Sequence, residues 1–148
     1  MDIQKITTSD LEAITDLVLA VSEIDVMPLL TPQGQEEYKA RVLPDLATTL
    51  DEERFITIKA VSDHQLLGFA ALRDGDYLTH LFVSHASQGM GLGNQMLAYL
   101  LNSTDSKEIS LRSSINAVGF YQRHGFEATG EESAFNGIRF VPMSLVRN

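Results

Sequence analysis

Three glycines within five residues mark the part of this sequence best equipped for chemistry. Gly89, Gly91 and Gly93 follow the apolar run Leu81-Phe82-Val83 and lead into an apolar helical pattern. Alternating glycines permit positive φ and let a ligand approach the main chain closely. The helix behind them offers unpaired N–H groups and the positive end of its dipole. Strand, glycine turn and helix N-terminus together suit a phosphate or pyrophosphate. The competing reading is a loop that is merely flexible. Two phosphate motifs are excluded outright. A P-loop ends in Gly-Lys-Ser/Thr, whereas Gly93 is followed by Asn94-Gln95. A dinucleotide fingerprint needs a third glycine where Asn94 or Met96 stands.

The elements that must position this loop follow from periodicity. Residues 2–7 predict a short strand. Ser9-Asp10-Leu11-Glu12 predicts a capping box with Ser9 as N-cap. Leu11, Ile14, Val18 and Val21 recur at helical spacing. Thr31-Pro32 opens a second helix with Tyr38, Val42 and Leu46 on its apolar face, and Pro44 is expected to kink or end it. Phe55 to Val61 and Leu66 to Leu72 predict strands joined around Ser62-Asp63. Asp74-Gly75 predicts a hairpin turn into a strand from Tyr77 to Val83. Strict alternation would put Leu78, His80 and Phe82 on one face, and Thr79, Leu81 and Val83 on the other.

After the glycine loop, Leu92, Met96, Leu97, Leu100 and Leu101 form a buried helix stripe. Residues 107–112 predict a strand and 115–124 a helix with Ser114 as N-cap. Phe126–Ala134 and Ile138–Val146 predict a closing hairpin across Asn136-Gly137. An antiparallel meander followed by a parallel crossover near 77–112 gives an α/β fold on a mixed sheet, expected as one domain over residues 1–148.

Composition narrows the function classes. The 148 residues carry 11 Lys+Arg against 20 Asp+Glu, a net charge of −9. That balance argues against nucleic-acid partners and against attachment to an anionic membrane. With no Cys, disulfides, thiolate metal sites and a cysteine nucleophile are ruled out, and a cytoplasmic setting is expected. Nor do the four histidines show metal-ligand spacing. No apolar run reaches the ~18 residues of a membrane span.

Gln88-Gly89-Met90-Gly91-Leu92-Gly93 resembles the Gln/Arg-x-x-Gly-x-Gly/Ala signature of the GNAT superfamily of acyl-CoA N-acyltransferases. Ala117-Val118-Gly119-Phe120-Tyr121-Gln122-Arg123-His124-Gly125-Phe126 is similar to that family's Ala-x-x-Phe-Tyr-x-x-x-Gly-Phe segment. Asn136-Gly137-Ile138-Arg139-Phe140-Val141-Pro142-Met143 resembles the closing hairpin of many small members. The resemblance covers the whole chain, in the order β-α-α-β-β-β-α-β-α-β-β. It implies an N-acetyltransferase that moves an acetyl group from acetyl-CoA to an amine by direct attack in a ternary complex.

By the same resemblance, Gln88, Gly89, Met90, Gly91, Leu92, Gly93 and Asn94 would hold the pyrophosphate, and Leu81, Phe82 and Val83 the pantetheine arm. Tyr121 would protonate the leaving thiolate, a role suited to a phenol still protonated at neutral pH. Many relatives carry Asn where Ser114 stands; Asn116 lies two residues later, and both are assigned to the cofactor. Arg123 reads either as a partner of the phosphates or as a solvated helix-surface arginine. His80 has an intrinsic pKa suited to a general base, or it is a sheet histidine held by ordinary hydrogen bonds.

The acceptor would be lined by the apolar segment Ile24-Asp25-Val26-Met27-Pro28-Leu29-Leu30, with Glu23, Asp25, Glu36 and Glu37 as nearby acids. The acidic surplus fits a cationic amine, or simply a soluble surface. Two readings compete with the enzyme: a catalytically silent acyl-CoA-binding or sensing module, and an interaction subunit that pairs through an edge strand. The state expected is a monomer or homodimer.

Overall fold

The computed structural model describes residues 1–135 and 138–148; the expected turn at Asn136-Gly137 lies outside the described residues. In chain order the elements are β1 (Asp2–Lys5), α1 (Leu11–Asp25), α2 (Pro32–Thr48), β2 (Phe55–Ser62), β3 (Gln65–Arg73) and β4 (Tyr77–Val83). There follow α3 (Leu92–Asn102), β5 (Glu108–Ser113), α4 (Val118–Arg123), β6 (Glu127–Ala128), β7 (Ser133–Phe135) and β8 (Ile138–Val146). One mixed sheet runs β1-β2-β3-β4-β5-β8-β6, with β7 pairing β8 off this path. Its described pairs are antiparallel except β4 with β5.

Alternation along β3 divides the core in two. Phe69 and Ala71 face α1 and α2, where Ile14, Val18, Val21, Val42 and Leu46 are buried. Ala70 and Leu72 face the other way, onto Met96, Leu97 and Leu100 of α3. The helices thus cover opposite faces of the sheet, each through the apolar stripe its sequence carries.

Both hairpin turns have the geometry their residues favour. Asp63 and His64 have φ of 51° and 64°, and Asp74 and Gly75 have φ of 55° and 75°. Two successive positive φ values match the right-handed strand twist; Asp63-His64 is a two-residue loop, whereas Arg73 and Tyr77 are joined by the three residues Asp74, Gly75 and Asp76.

Several sequence expectations are corrected. The first cap is at Thr7, where the backbone is still extended, and not at Ser9, which already lies in a 3₁₀ turn over Thr8–Asp10. The Thr7 N–H donates to the Asp10 carboxylate at 2.8 Å. Helix α2 continues through Pro44 to Thr48. Ala40, whose carbonyl loses its donor, is exposed with Pro44, so water can satisfy it. Ser114 does not cap through its side chain: residues Ile115–Ala117 form a 3₁₀ turn before the short α4. The segment expected as one strand over 126–134 is split into β6 and β7.

The C-terminal end is fastened by one side chain. Arg147 donates to the carbonyls of Leu101, Thr104 and Ser106 at 2.7–3.1 Å, closing the α3–β5 connection and binding the Leu101 carbonyl in the last turn of α3. One ammonium cannot span three carbonyls in the way a planar guanidinium does. Arg147→Ala should therefore lower stability by about 2–3 kcal/mol, with Arg147→Lys restoring less than half, read by urea denaturation.

Candidate active site

Strands β4 and β5 stay together for two register pairs only, Tyr77↔Ser110 and Leu78↔Leu111. Beyond Leu78 they part, while β4 remains paired to β3 as far as Val83. The β5-facing main-chain groups of β4 past this point therefore have no ladder partner among the described residues. Unpaired N–H and C=O groups along a strand edge can pair with an added extended segment, and the gap leaves room for one. The cleft here holds about 700 Å³.

A bulge resets which side chains face this cleft. Ala71 pairs with His80 but Leu72 pairs with Leu78, leaving Thr79 as the extra residue. Leu78 consequently joins Leu81 and Val83 on the α3 side. His80 and Phe82 face α1 and α2, with His80 stacked 5.6 Å from Phe69. The expected grouping of Leu78 with His80 and Phe82 fails for this reason.

The glycine loop closes one end of the cleft. Gly89 and Gly91 have φ of 82° and 79°, a conformation other residues adopt only with strain. Gly91 is the residue before the first turn of α3, so that turn's free N–H groups open toward the cleft. Gly93 has no positive φ; a Cβ there would stand 3.4 Å from the Phe120 ring, so it serves packing. Gln88 donates to the Val83 carbonyl at 3.1 Å, tying the loop to the strand end. Asn94 is hydrogen-bonded to His124 at 2.7 Å. The wall includes Leu81, Phe82, Val83, Gln88, Leu92, Asn94, Ser114, Asn116, Tyr121 and Arg123. Met90 is 74% exposed and is not part of it.

Tyr121 is 8% exposed and fixed edge-on to Phe120 and Phe126. Burial pushes its phenol upward from the usual range, so it stays protonated at any working pH. Asn116 donates to the Asp25 carbonyl at 3.1 Å, so its amide tethers the end of α1 to the cleft rim. The Asp25 carboxylate lies 3.4 Å from His85, a second tie that sequence reasoning missed. Arg123 runs back along α4 over Gly119.

A second cavity of about 340 Å³ lies between α1, α2 and the sheet. Thr79, His80, Phe82, Asp25, Arg112 and Ser114 border both spaces. Of the four acids singled out in the sequence, only Asp25 lines it; Asp45 of α2 joins it, as do Arg41, Arg112 and Arg139. Arg112 had one legible signal, its place in β5 out of phase with buried Ile109, Leu111 and Ser113.

His80 is polarised by its neighbour. The Thr79 hydroxyl donates to the Ala71 carbonyl at 3.2 Å and lies 2.7 Å from His80 Nδ1. When the hydroxyl donates to Ala71, Nδ1 carries the hydrogen shared with Thr79 and Nε2 is left as the acceptor. Burial pulls the imidazole down to about 4, so it is uncharged at neutral pH.

This geometry can be set beside known proteins. The acetyltransferase (GNAT) domain family matches residues 26–147. The chain belongs to the GNAT acetyltransferase family. Acetyl-CoA is the acyl donor in this family, and the parted strands and glycine loop present the surface such a donor needs. The GNAT fold recurs in a GCN5-related N-acetyltransferase from Rhodopseudomonas palustris, with TM-score 0.80 at 19% identity over 98% of this chain and 94% of that one. It recurs in PaiA N-acetyltransferase from Thermoplasma acidophilum in complex with coenzyme A, with TM-score 0.77 at 19% identity over 98% of each chain. Apo-form YjaB from Escherichia coli gives TM-score 0.75 at 21% identity over 99% and 98%. No curated protein sequence matches this GNAT chain significantly. Among its described residues, no helix is long and apolar enough to cross a membrane, and no group of His, Asp and Glu side chains could hold a metal.

The depressed His80 pKa has a consequence for stability. The unfolded chain takes up a proton near 6.5 that the folded imidazole refuses until about 4. Stability is therefore full above pH 6.5 and falls as pH drops toward 4, by up to roughly 3 kcal/mol at about 1.4 kcal/mol per unit. Urea melts between pH 7 and 4 should show this decline, and His80→Gln should flatten it.

Proposed function

We propose that this protein is an N-acetyltransferase that passes the acetyl group of acetyl-CoA directly to a primary amine of a small molecule or peptide. The carrying observation is the meeting of the two cavities at Thr79 and His80, beside the gap between β4 and β5. Donor and acceptor can then face each other without a covalent enzyme intermediate, for which there is no Cys. Residues 1–148 act in this reading as one domain, monomer or homodimer, in the cytoplasm.

Each residue has a physical role in the proposal. The N–H groups at Gly91, Leu92 and Gly93, with the helix dipole, hold the pyrophosphate against the chain's overall repulsion, which is screened beyond ~8 Å at physiological salt. Leu81, Phe82 and Val83 offer main-chain groups to the pantetheine arm, and an N–H in this stretch polarises the acyl carbonyl. Acetyl-CoA supplies an activated thioester. His80 Nε2 receives the proton that becomes acidic as the amine nitrogen bonds to carbon. A base held near 4 has little driving force, so it acts late, as the C–N bond completes. Asp25 also borders both cavities, but its carboxylate is engaged with His85. Tyr121 protonates the departing sulfur; its raised pKa keeps the phenol in the protonated form needed for this, while making it a weaker acid.

A thermal-shift titration with acetyl-CoA, with NAD and ATP as controls, tests donor binding. At 100 times Kd, stabilisation should be about 2.7 kcal/mol. Tyr121→Phe should lower kcat about 10²-fold while leaving the Kd for acetyl-CoA within about threefold. Equal turnover would remove Tyr121 from the chemistry. Gly91→Val, forced into positive φ, should raise the Kd for acetyl-CoA at least tenfold. An acetyl-CoA shift without turnover of any amine would favour the silent binding module.

A further inference from the structure

The acceptor-side cavity gathers arginines in an acidic chain, together with the carboxylates of Asp25 and Asp45. Three of the seven arginines, Arg41, Arg112 and Arg139, line its walls. Arg139 is engaged: its guanidinium donates twice to Glu132, at 2.8 and 2.9 Å. Arg112 is held differently. Its guanidinium stacks 4.6 Å from the centroid of the Phe140 ring. Among the described residues, no carboxylate lies within 4.0 Å of it. The ring fixes the plane of the guanidinium and leaves its charge uncancelled.

Position makes that charge useful. Arg112 stands on β5 just past Leu111, the last residue paired with β4. It borders both cavities, as Thr79 and His80 do. A planar, oriented guanidinium is matched to a carboxylate by paired N–H donors. The half-open cavity of about 340 Å³ has room for a small molecule.

We propose that the acceptor is an amino acid-type amine, with a carboxylate beside its nucleophilic nitrogen, and that Arg112 grips that carboxylate. The inference rests on the acetyl-transfer reading and names its substrate class. The overall acidity of the chain points to polyamines, and Asp25 and Asp45 line this cavity too; it is the Arg112 guanidinium, oriented by Phe140 at the junction, that favours a carboxylate-bearing amine. In the transfer the amine nitrogen bonds to the acyl carbon and the carbon–sulfur bond breaks. The nitrogen's proton goes to the base and the sulfur takes one from the phenol. The carboxylate is a handle and is unchanged.

The test compares amino acids with their C-terminal amides and decarboxylated amines as acceptors, using acetyl-CoA. Wild type should prefer the carboxylated member at least tenfold in kcat/KM, mainly through KM. Arg112→Gln should collapse that preference to within about twofold, and Arg112→Lys should keep part of it. A second measurement does not depend on turnover: calorimetric binding of N-acetylamino acids and their amides to the CoA-bound protein. The same preference and the same collapse are expected. Equal or better use of amides or polyamines, or equal binding of the two product series, overturns the proposal while acetyl transfer stands. Failure of acetyl-CoA to bind or react would instead remove the parent reading. An undiminished carboxylate preference in Arg112→Gln removes Arg112 from the role.

Discussion

The parting of β4 from β5 is the constraint on which this molecule depends. A parallel pair that stays closed would satisfy its own ladder and leave nothing for a ligand. Here the pair closes only at Tyr77 and Leu78. On its other edge β4 stays paired with β3 through Val83. The groups that face β5 have no ladder partner among the described residues, and in the proposed function they are offered to an extended arm. The glycine turn, the first turn of α3 and Tyr121 of α4 are arranged around that opening.

The bulge at Thr79 works with the splay. It puts Leu78 into the core against α3 and turns His80 to the opposite side, toward the acceptor cavity. The same extra residue supplies the hydroxyl hydrogen-bonded to His80 Nδ1. One irregularity in a strand thus sets both a packing boundary and the cavity that the His80 ring faces. The ties from Asn116 and His85 to Asp25 hold the end of α1 over the junction, so the acceptor wall is positioned by the donor side.

Charge is organised locally against the global balance. In a chain of net charge −9, the proposed site for a polyanionic donor is built from N–H dipoles of the glycine loop. It places Arg112 over Phe140 at the acceptor junction, where no described carboxylate cancels it. The global excess of acid governs solubility and long-range repulsion. The site is governed by groups within a few ångströms.

Much was determined by sequence alone. Helical periodicity located α1, α2 and α3, and paired turn residues located the hairpins at Asp63 and Asp74, because these signals come from neighbours in the chain. The glycine run and the Ala117–Phe126 segment pointed to the family for the same local reason. Other features belong to tertiary structure. The choice of Thr7 over Ser9 as cap depends on where the backbone leaves its extended path. Continuation of α2 past Pro44 depends on solvent reaching Ala40. The face of His80 depended on a bulge that alternation cannot register, and the duty of Asn116 on a carbonyl 91 residues away. The acceptor wall was least legible, since Arg112, Asp45 and Phe140 share no local pattern and meet only when β5, β8 and α2 are packed together.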